Sequence, residues 1–235
     1  MITEYDRQIS QDITANVENE ITMRILKIDA HYPDAALVAQ AATALCAGQV
    51  LAYLTDTMYG LGVDPRSVEA VARLYALKQR APQKAIPLIA GNKEMLAGWI
   101  QIFPALAEKL AEHFWPGPLT MIFHAHEQVP EQLSAGTNKI AVRVPDSMLA
   151  RALSVQLGAP ITSTSANLSG EGAVLGVEEI AAQLGHDLDL ILDSGAVNNT
   201  SPSTIIDVTS APPRLVRQGV IAQTAVEKII GALAS

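Results

Sequence analysis

Three short polar segments carry residue types that chemistry would need. The first is L-T-D-T-M-Y-G-L-G at 54–62, directly after an apolar run. Thr55, Asp56 and Thr57 present hydroxyls and a carboxylate at a strand end, where α/β sheets usually bind ligands. Gly60 and Gly62 allow a ligand to approach the backbone closely. The same residues would equally make a turn that satisfies its own backbone. The second segment is K-Q-R-A-P-Q-K at 78–84. In extended chain Lys78 and Arg80 project from one face, and Lys84 follows beyond a proline turn. Three cations without local acidic partners repel one another unless an anion or a distant carboxylate joins them. A phosphate chain fits that need, and a solvated basic loop is the plainer reading of this segment alone. The third, S-T-S-A-N-L-S-G at 163–170, offers Ser163, Thr164, Ser165 and Asn167 as small donors and acceptors. They could line a polyphosphate or help place a hydrated metal, and runs of this composition are also ordinary loops.

Two single residues join these segments. Thr120 follows W-P-G-P-L, and Arg143 lies within the apolar strand I-A-V-R-V-P. Arginine is rarely buried without a partner, so a carboxylate is expected beside it, belonging either to the protein or to a substrate acid. His124 and His126 have the i, i+2 spacing of strand ligands, but with no further ligand cluster nearby they read as a strand-end surface pair. There is no G-x-x-x-x-G-K-[ST], no G-x-G-x-x-G after a strand, no G-x-S-x-G and no H-E-x-x-H. The standard P-loop, dinucleotide, serine-hydrolase and zincin readings therefore lack their main support.

The elements that must position these groups are legible as alternating helices and strands. Leu37, Val38, Ala41, Ala44 and Leu45 recur at helical spacing between Pro33 and Gly48, predicting a helix over 34–47. A strand follows at 50–54, and Ser67 caps a helix to about 77. Strands are expected at 86–90, 119–123, 139–144, 160–162, 188–192, 204–208 and 214–216, with helices at 104–111, 147–157, 178–184 and 224–233. Some successive strands have no helix between them, so the pattern predicts an α/β fold on a mixed sheet. Cys46 lies among Ala and Leu on the first helix and is expected in the core.

Of 235 residues, 49% are hydrophobic and 17% charged, the usage of an ordinary globular protein. The net charge is −8, and half of it belongs to residues 1–22, where Glu4, Asp6, Asp12, Glu18 and Glu20 face Arg7 alone. Residues 1–22 are therefore expected to be an acidic, loosely ordered tail, and 23–235 a single domain. From Arg73 to Lys93 the sign reverses, with five cations and no Asp or Glu. An acidic total argues against a broad nucleic-acid surface and leaves room for a small polyanion. A single cysteine, no signal-peptide pattern and no membrane-length apolar run point to the cytoplasm and to no membrane partner.

Taken in order from about Met23 to Ile221, seven motifs resemble the YrdC/Sua5 family, the threonylcarbamoyl-AMP synthases that begin formation of threonylcarbamoyladenosine in tRNA. They are T-D-T-M-Y-G-L-G, K-Q-R with Lys84, W-P-G-P-L-T, A-V-R-V-P, S-A-N-L-S-G, S-T-I-I-D and L-V-R-Q-G. The resemblance implies a YrdC-like twisted mixed sheet with flanking helices and a large concave cavity. It implies condensation of L-threonine, bicarbonate and ATP to threonylcarbamoyl-AMP and pyrophosphate, with Mg2+ accompanying the nucleotide. Thr55, Arg143, Ser163 and Ser203 would form the threonine site, with Arg143 on the carboxylate. Lys78, Arg80 and Lys84 would face bicarbonate and the phosphates, Lys78 and Arg80 as the catalytic cations. Thr120, Ser165, Asn167 and Arg217 would hold the nucleotide. The chain resembles the short type, which passes its adenylate to a separate threonylcarbamoyl transferase complex.

Leu54 and Asp56 stand where the family usually has proline and glutamate. Gly91 stands near a frequent histidine, and Pro202 where glutamate is expected. These departures leave room for a paralogue of the same fold acting on another carbamoyl acceptor, and the family's basic concave surface implies a second alternative, an RNA-binding module with weak binding of double-stranded RNA.

Overall fold

The computed structural model describes residues 23–197 and 201–234. The expected acidic tail over 1–22 lies outside them.

Three helices begin where the sequence supplies a side-chain cap. Asp34 Oδ1 accepts from the backbone N–H of Ala36 and Leu37 to start α1 (Ala35–Cys46), satisfying donors that the first turn cannot pair internally. Ser67 does the same for α2 (Val68–Leu77), and Ser147 for α5 (Met148–Leu157), which ends at Gly158 in the left-handed region. The remaining helices are α3 (Ala105–Phe114), the single turn α4 (Glu131–Ser134), α6 (Val177–Leu184) and α7 (Gln223–Ile230). Among the described residues no helix is long and apolar enough to cross a membrane.

The strands form two mixed sheets rather than the one expected. The first contains β1 (Arg24–Lys27), β2 (Leu51–Leu54), β3 (Tyr59–Gly62), β8 (Thr164–Ser165) and β9 (Leu190–Asp193), in the order β1-β9-β2-β3-β8. The second contains β4 (Leu88–Ile89), β5 (Leu119–His124), β6 (Lys139–Arg143), β7 (Ile161–Thr162), β10 (Thr204–Asp207) and β11 (Arg214–Arg217), in the order β11-β10-β5-β6-β4-β7. β1, β9 and β2 form the parallel part of the first sheet, and two strands hidden in polar motifs extend it. Tyr59–Gly62 pairs antiparallel with β2 as a hairpin, and Thr164–Ser165 pairs antiparallel with β3.

The run 161–165 passes from the edge of one sheet to the edge of the other, with Ser163 at the crossing. Several hydrogen bonds pin it there. Ser163 N donates to Pro87 O at 2.7 Å, Val63 N to Thr162 Oγ1 at 2.8 Å, and the buried Tyr53 hydroxyl to Thr162 O at 3.0 Å. Gly62 is required beneath this stitch, since a Cβ there would lie 2.6 Å from the Tyr53 ring. One apolar cluster runs through both sheets, including Leu61, Leu88, Met121, Val142, Ile191 and Ile206. A second fills the space between α1, α5 and the first sheet. Cys46 is exposed at the end of α1, not in the core. It sits on the helix's outer side, while Ala42, Ala44 and Leu45 point inward.

Candidate active site

The polar motifs converge where the two sheets meet. A cavity of about 320 Å³ is walled by the β2–β3 hairpin, by β4 to β6, by the 163–167 crossing and by β10 and β11. Nine of the eleven site residues that the resemblance implies line it: Thr55, Arg80, Thr120 and Arg143, then Ser163, Ser165 and Asn167, and Ser203 with Arg217. Pro202 is in the wall as well, and the lining contains three arginines and no Asp or Glu.

Thr55 closes the hairpin. Its hydroxyl donates to Met58 O at 2.7 Å, accepts from Thr57 N and Met58 N, and lies 3.1 Å from Thr57 Oγ1. The turn thus does satisfy its own backbone, and in doing so it fixes Thr55 and Thr57 as cavity wall. Gly60 opposite leaves this corner open: a Cβ there would come within 3.1 Å of Ser163 Oγ.

Arg143 has the carboxylate that its burial requires. Its Nη1 donates to Asp56 Oδ1 at 2.8 Å and its Nη2 to Thr57 Oγ1 at 3.4 Å, so the protein supplies the partner. Burial pulls the proton affinity of Arg143 down and Asp56 opposes the shift; guanidinium remains charged throughout. Across the cavity Arg217 donates to Ser203 O at 2.9 Å and Ser203 Oγ at 3.2 Å, and Ser203 Oγ lies 2.8 Å from Thr120 Oγ1. Burial, then the charge of Arg143, lower the proton affinity of Arg217. Two like charges sharing one concavity make it a site for anions.

The basic segment behaves differently from its expectation. Lys78 caps α2, and Gln79 takes a positive φ of 49°, so Lys78 and Arg80 do not share a face of extended chain. Lys78 is 1% exposed and does not line the cavity. Its ammonium donates to Ser165 O, to Asn167 O at 2.7 Å and to Asn167 Oδ1 at 3.5 Å, bracing the wall from behind. Ser165 Oγ donates to the same Asn167 Oδ1 at 2.6 Å, and Asn167 Nδ2 to Glu171 O at 2.6 Å. Arg80 does reach the wall, held by Lys84 O at 2.9 Å and Ala85 O at 2.7 Å. Lys84 contributes that carbonyl, while its side chain is exposed and outside the lining. Asp56 and Lys78, the two residues that fix the wall from outside it, have contacts 87 to 89 positions away in sequence. The sequence signals for the first were its place in the 54–62 motif and the carboxylate expected beside Arg143, with nothing to join the two.

Burial, then the charge of Arg80, pull Lys78 down from 10.5 to about 8. Between those values the unfolded chain holds a proton that the folded chain has released, so stability gained from this group rises with pH. The increment is complete above 10.5 and is lost as pH falls through about 8. In Lys78→Met the stability difference from wild type should therefore change by about 3 kcal/mol across that window. Urea unfolding at pH 7.5 and 10.5 measures it, and a constant difference would contradict this assignment.

Comparisons with known proteins converge on one family. The Sua5/YciO/YrdC family model, described as telomere recombination, matches residues 43–219. The threonylcarbamoyl-AMP synthase of Pseudoalteromonas translucida is 38% identical over 176 residues, which cover 74% of this chain and 94% of that one. Among solved structures, Pyrococcus abyssi Sua5 complexed with L-threonine superposes with a TM-score of 0.85 at 31% identity, over 89% of this chain and 61% of that one. Escherichia coli YciO superposes with a TM-score of 0.80 at 29% identity, over 87% and 99%.

Proposed function

Because the chain belongs to the Sua5/YciO/YrdC family, we propose that it is a threonylcarbamoyl-AMP synthase, condensing L-threonine, bicarbonate and ATP. The observation that carries this reading is the cavity at the sheet junction, walled by Arg80, Arg143 and Arg217 with no carboxylate in its lining. Its substrates together bring an amino-acid carboxylate, a bicarbonate and a triphosphate, and its relative of known structure was solved with L-threonine.

The residue types match the chemistry. The amine of threonine attacks bicarbonate to give a carbamate and water. A carbamate oxygen then attacks the α-phosphorus of ATP, and pyrophosphate leaves. Both partners in the second step are anions, so cations that offset their repulsion and stabilise charge developing on pyrophosphate supply the catalysis. Arg143 would hold the threonine carboxylate, with Thr55, Ser163 and Ser203 around the rest of that substrate. Arg80 would meet the phosphates, and Arg217 the nucleotide from the far wall. Lys78 would lend its charge from one layer behind while keeping Ser165 and Asn167 in place; Lys84 has no place in this arrangement.

Magnesium would arrive as part of the nucleotide substrate. The lining offers it the oxygens of Thr120, Ser165 and Asn167 beside the triphosphate, and no protein carboxylate. Among the described residues there is no group of three or more His, Cys, Asp or Glu suited to a resident metal. Residues 23–235 would act as one catalytic domain in the cytoplasm, passing a labile adenylate to a separate transferase for tRNA modification. Pyrophosphate release tests the reading: it should require ATP, bicarbonate and L-threonine together. Release without threonine, or only with a different amine, would overturn it in favour of another acceptor.

A further inference from the structure

Asp56 does not line the cavity, yet it governs the arginine that does. Its side chain is 10% exposed and that of Arg143 6%. Oδ1 accepts from Arg143 Nη1 at 2.8 Å, and Oδ2 accepts from the backbone N–H of Asp146 at 3.1 Å. The carboxylate is thus clamped between the guanidinium at the end of β6 and the turn that follows it, while its own backbone belongs to the tip of the β2–β3 hairpin. With both oxygens engaged, Asp56 has one orientation. Thr57 Oγ1 accepts from Nη2 at 3.4 Å, and among the described residues the guanidinium has no hydrogen-bond partner beyond Asp56 and Thr57.

We propose that Asp56 is a positioning residue for the amino-acid substrate: it turns Arg143 so that its free N–H edge receives the substrate carboxylate. This rests on the reading that Arg143 binds that carboxylate. The physical need is specific. A guanidinium this buried, left without its counter-charge, would either draw in solvent or rotate toward another acceptor, and two-point recognition of a carboxylate tolerates little rotation. Asp56 also leaves the guanidinium's charge shared rather than cancelled, because a substrate carboxylate adds a second anion on a different edge. Arg217, near enough for its charge to be felt by Arg143, supplies a second cation against the two anions.

The test compares Asp56→Asn, which keeps shape and a hydrogen bond to Asp146 but removes the charge, with Asp56→Glu, which restores it. Readouts are KM for L-threonine, KM for ATP, kcat, and the preference for L-threonine over L-threoninol, which lacks the carboxylate, in direct binding. In Asp56→Asn the KM for threonine should rise at least about tenfold and the preference over threoninol fall by a similar factor. KM for ATP should stay within about threefold, and Asp56→Glu should recover most of the preference. A folded Asp56→Asn with an unchanged preference would overturn the proposal, as would equal losses toward threonine and ATP. Arg143→Lys separates the two ideas. If it weakens threonine but Asp56→Asn does not, positioning by Asp56 is wrong and the carboxylate site stands. If neither changes the preference over threoninol, the assignment of Arg143 is wrong as well.

Discussion

Lys78→Ala is expected to lower ATP-dependent turnover by two to three orders of magnitude and also to destabilise the fold by about 2–4 kcal/mol. The stability loss follows from burial. Removing the ammonium leaves Ser165 O and Asn167 O without their donor and opens a void under the 163–167 crossing. The activity loss follows from the proposal that those two residues wall the nucleotide, since a displacement of about 1 Å there is costly to a reaction that depends on positioning. Arg80→Ala makes the contrast. Arg80 is only half-buried and gives up bonds to two loop carbonyls, so a stability loss under about 1.5 kcal/mol should accompany a similar fall in turnover. Thermal unfolding and steady-state kinetics on both variants measure the split. Full activity in either, or equal stability loss in both, would contradict the separation into a bracing lysine and a phosphate-facing arginine.

Arg143→Ala carries the second large effect. It strands the Asp56 carboxylate, whose side chain is 10% exposed, without its partner. Breaking one side of such a pair costs about 3–5 kcal/mol, so this variant tests stability more than recognition. Arg143→Lys keeps a cation against Asp56 but cannot contact the protein's carboxylate and a substrate's on two edges of one plane. It should fold, retain KM for ATP within about threefold, and raise KM for threonine by about ten- to a hundredfold. Unaltered threonine saturation in this variant would remove Arg143 from the substrate site.

How much of this was legible in the chain depends on the range of the interaction. The main helices were readable because local residues decide them: Asp34, Ser67 and Ser147 cap the next turn, and Gly158 ends one helix in the left-handed region. The α/β class and most strands followed from periodicity. The division into two sheets and the strands β3 and β8 did not, because β3 and β8 are short, polar or glycine-containing, and strand partners are set by the tertiary fold. Nine of the eleven candidate site residues do meet at one cavity: eight stand at or beside a strand end or the sheet crossing, and Arg80 is held there by loop carbonyls. Lys78 and Lys84 do not, and the reason is local: a single residue of positive φ at Gln79 turns the chain that an extended reading keeps straight. Cys46 was misplaced because its neighbours' apolar character says nothing about the outward side of the helix.

An acidic total of −8 coexists with a cavity whose wall carries three arginines and no acid. Field at short range follows the local lining, not the sum over the surface.

The most direct test of the central claim is to follow labelled bicarbonate into product. Purified protein is incubated with ATP, magnesium, L-threonine and carbon-labelled bicarbonate, and the nucleotide fraction is analysed for an adenylate carrying the label. The expected result is one labelled threonylcarbamoyl-adenylate, formed in step with pyrophosphate and absent when threonine is omitted. ATP turnover with no label in the adenylate, or a labelled adenylate that forms equally well without threonine, would contradict the assigned reaction.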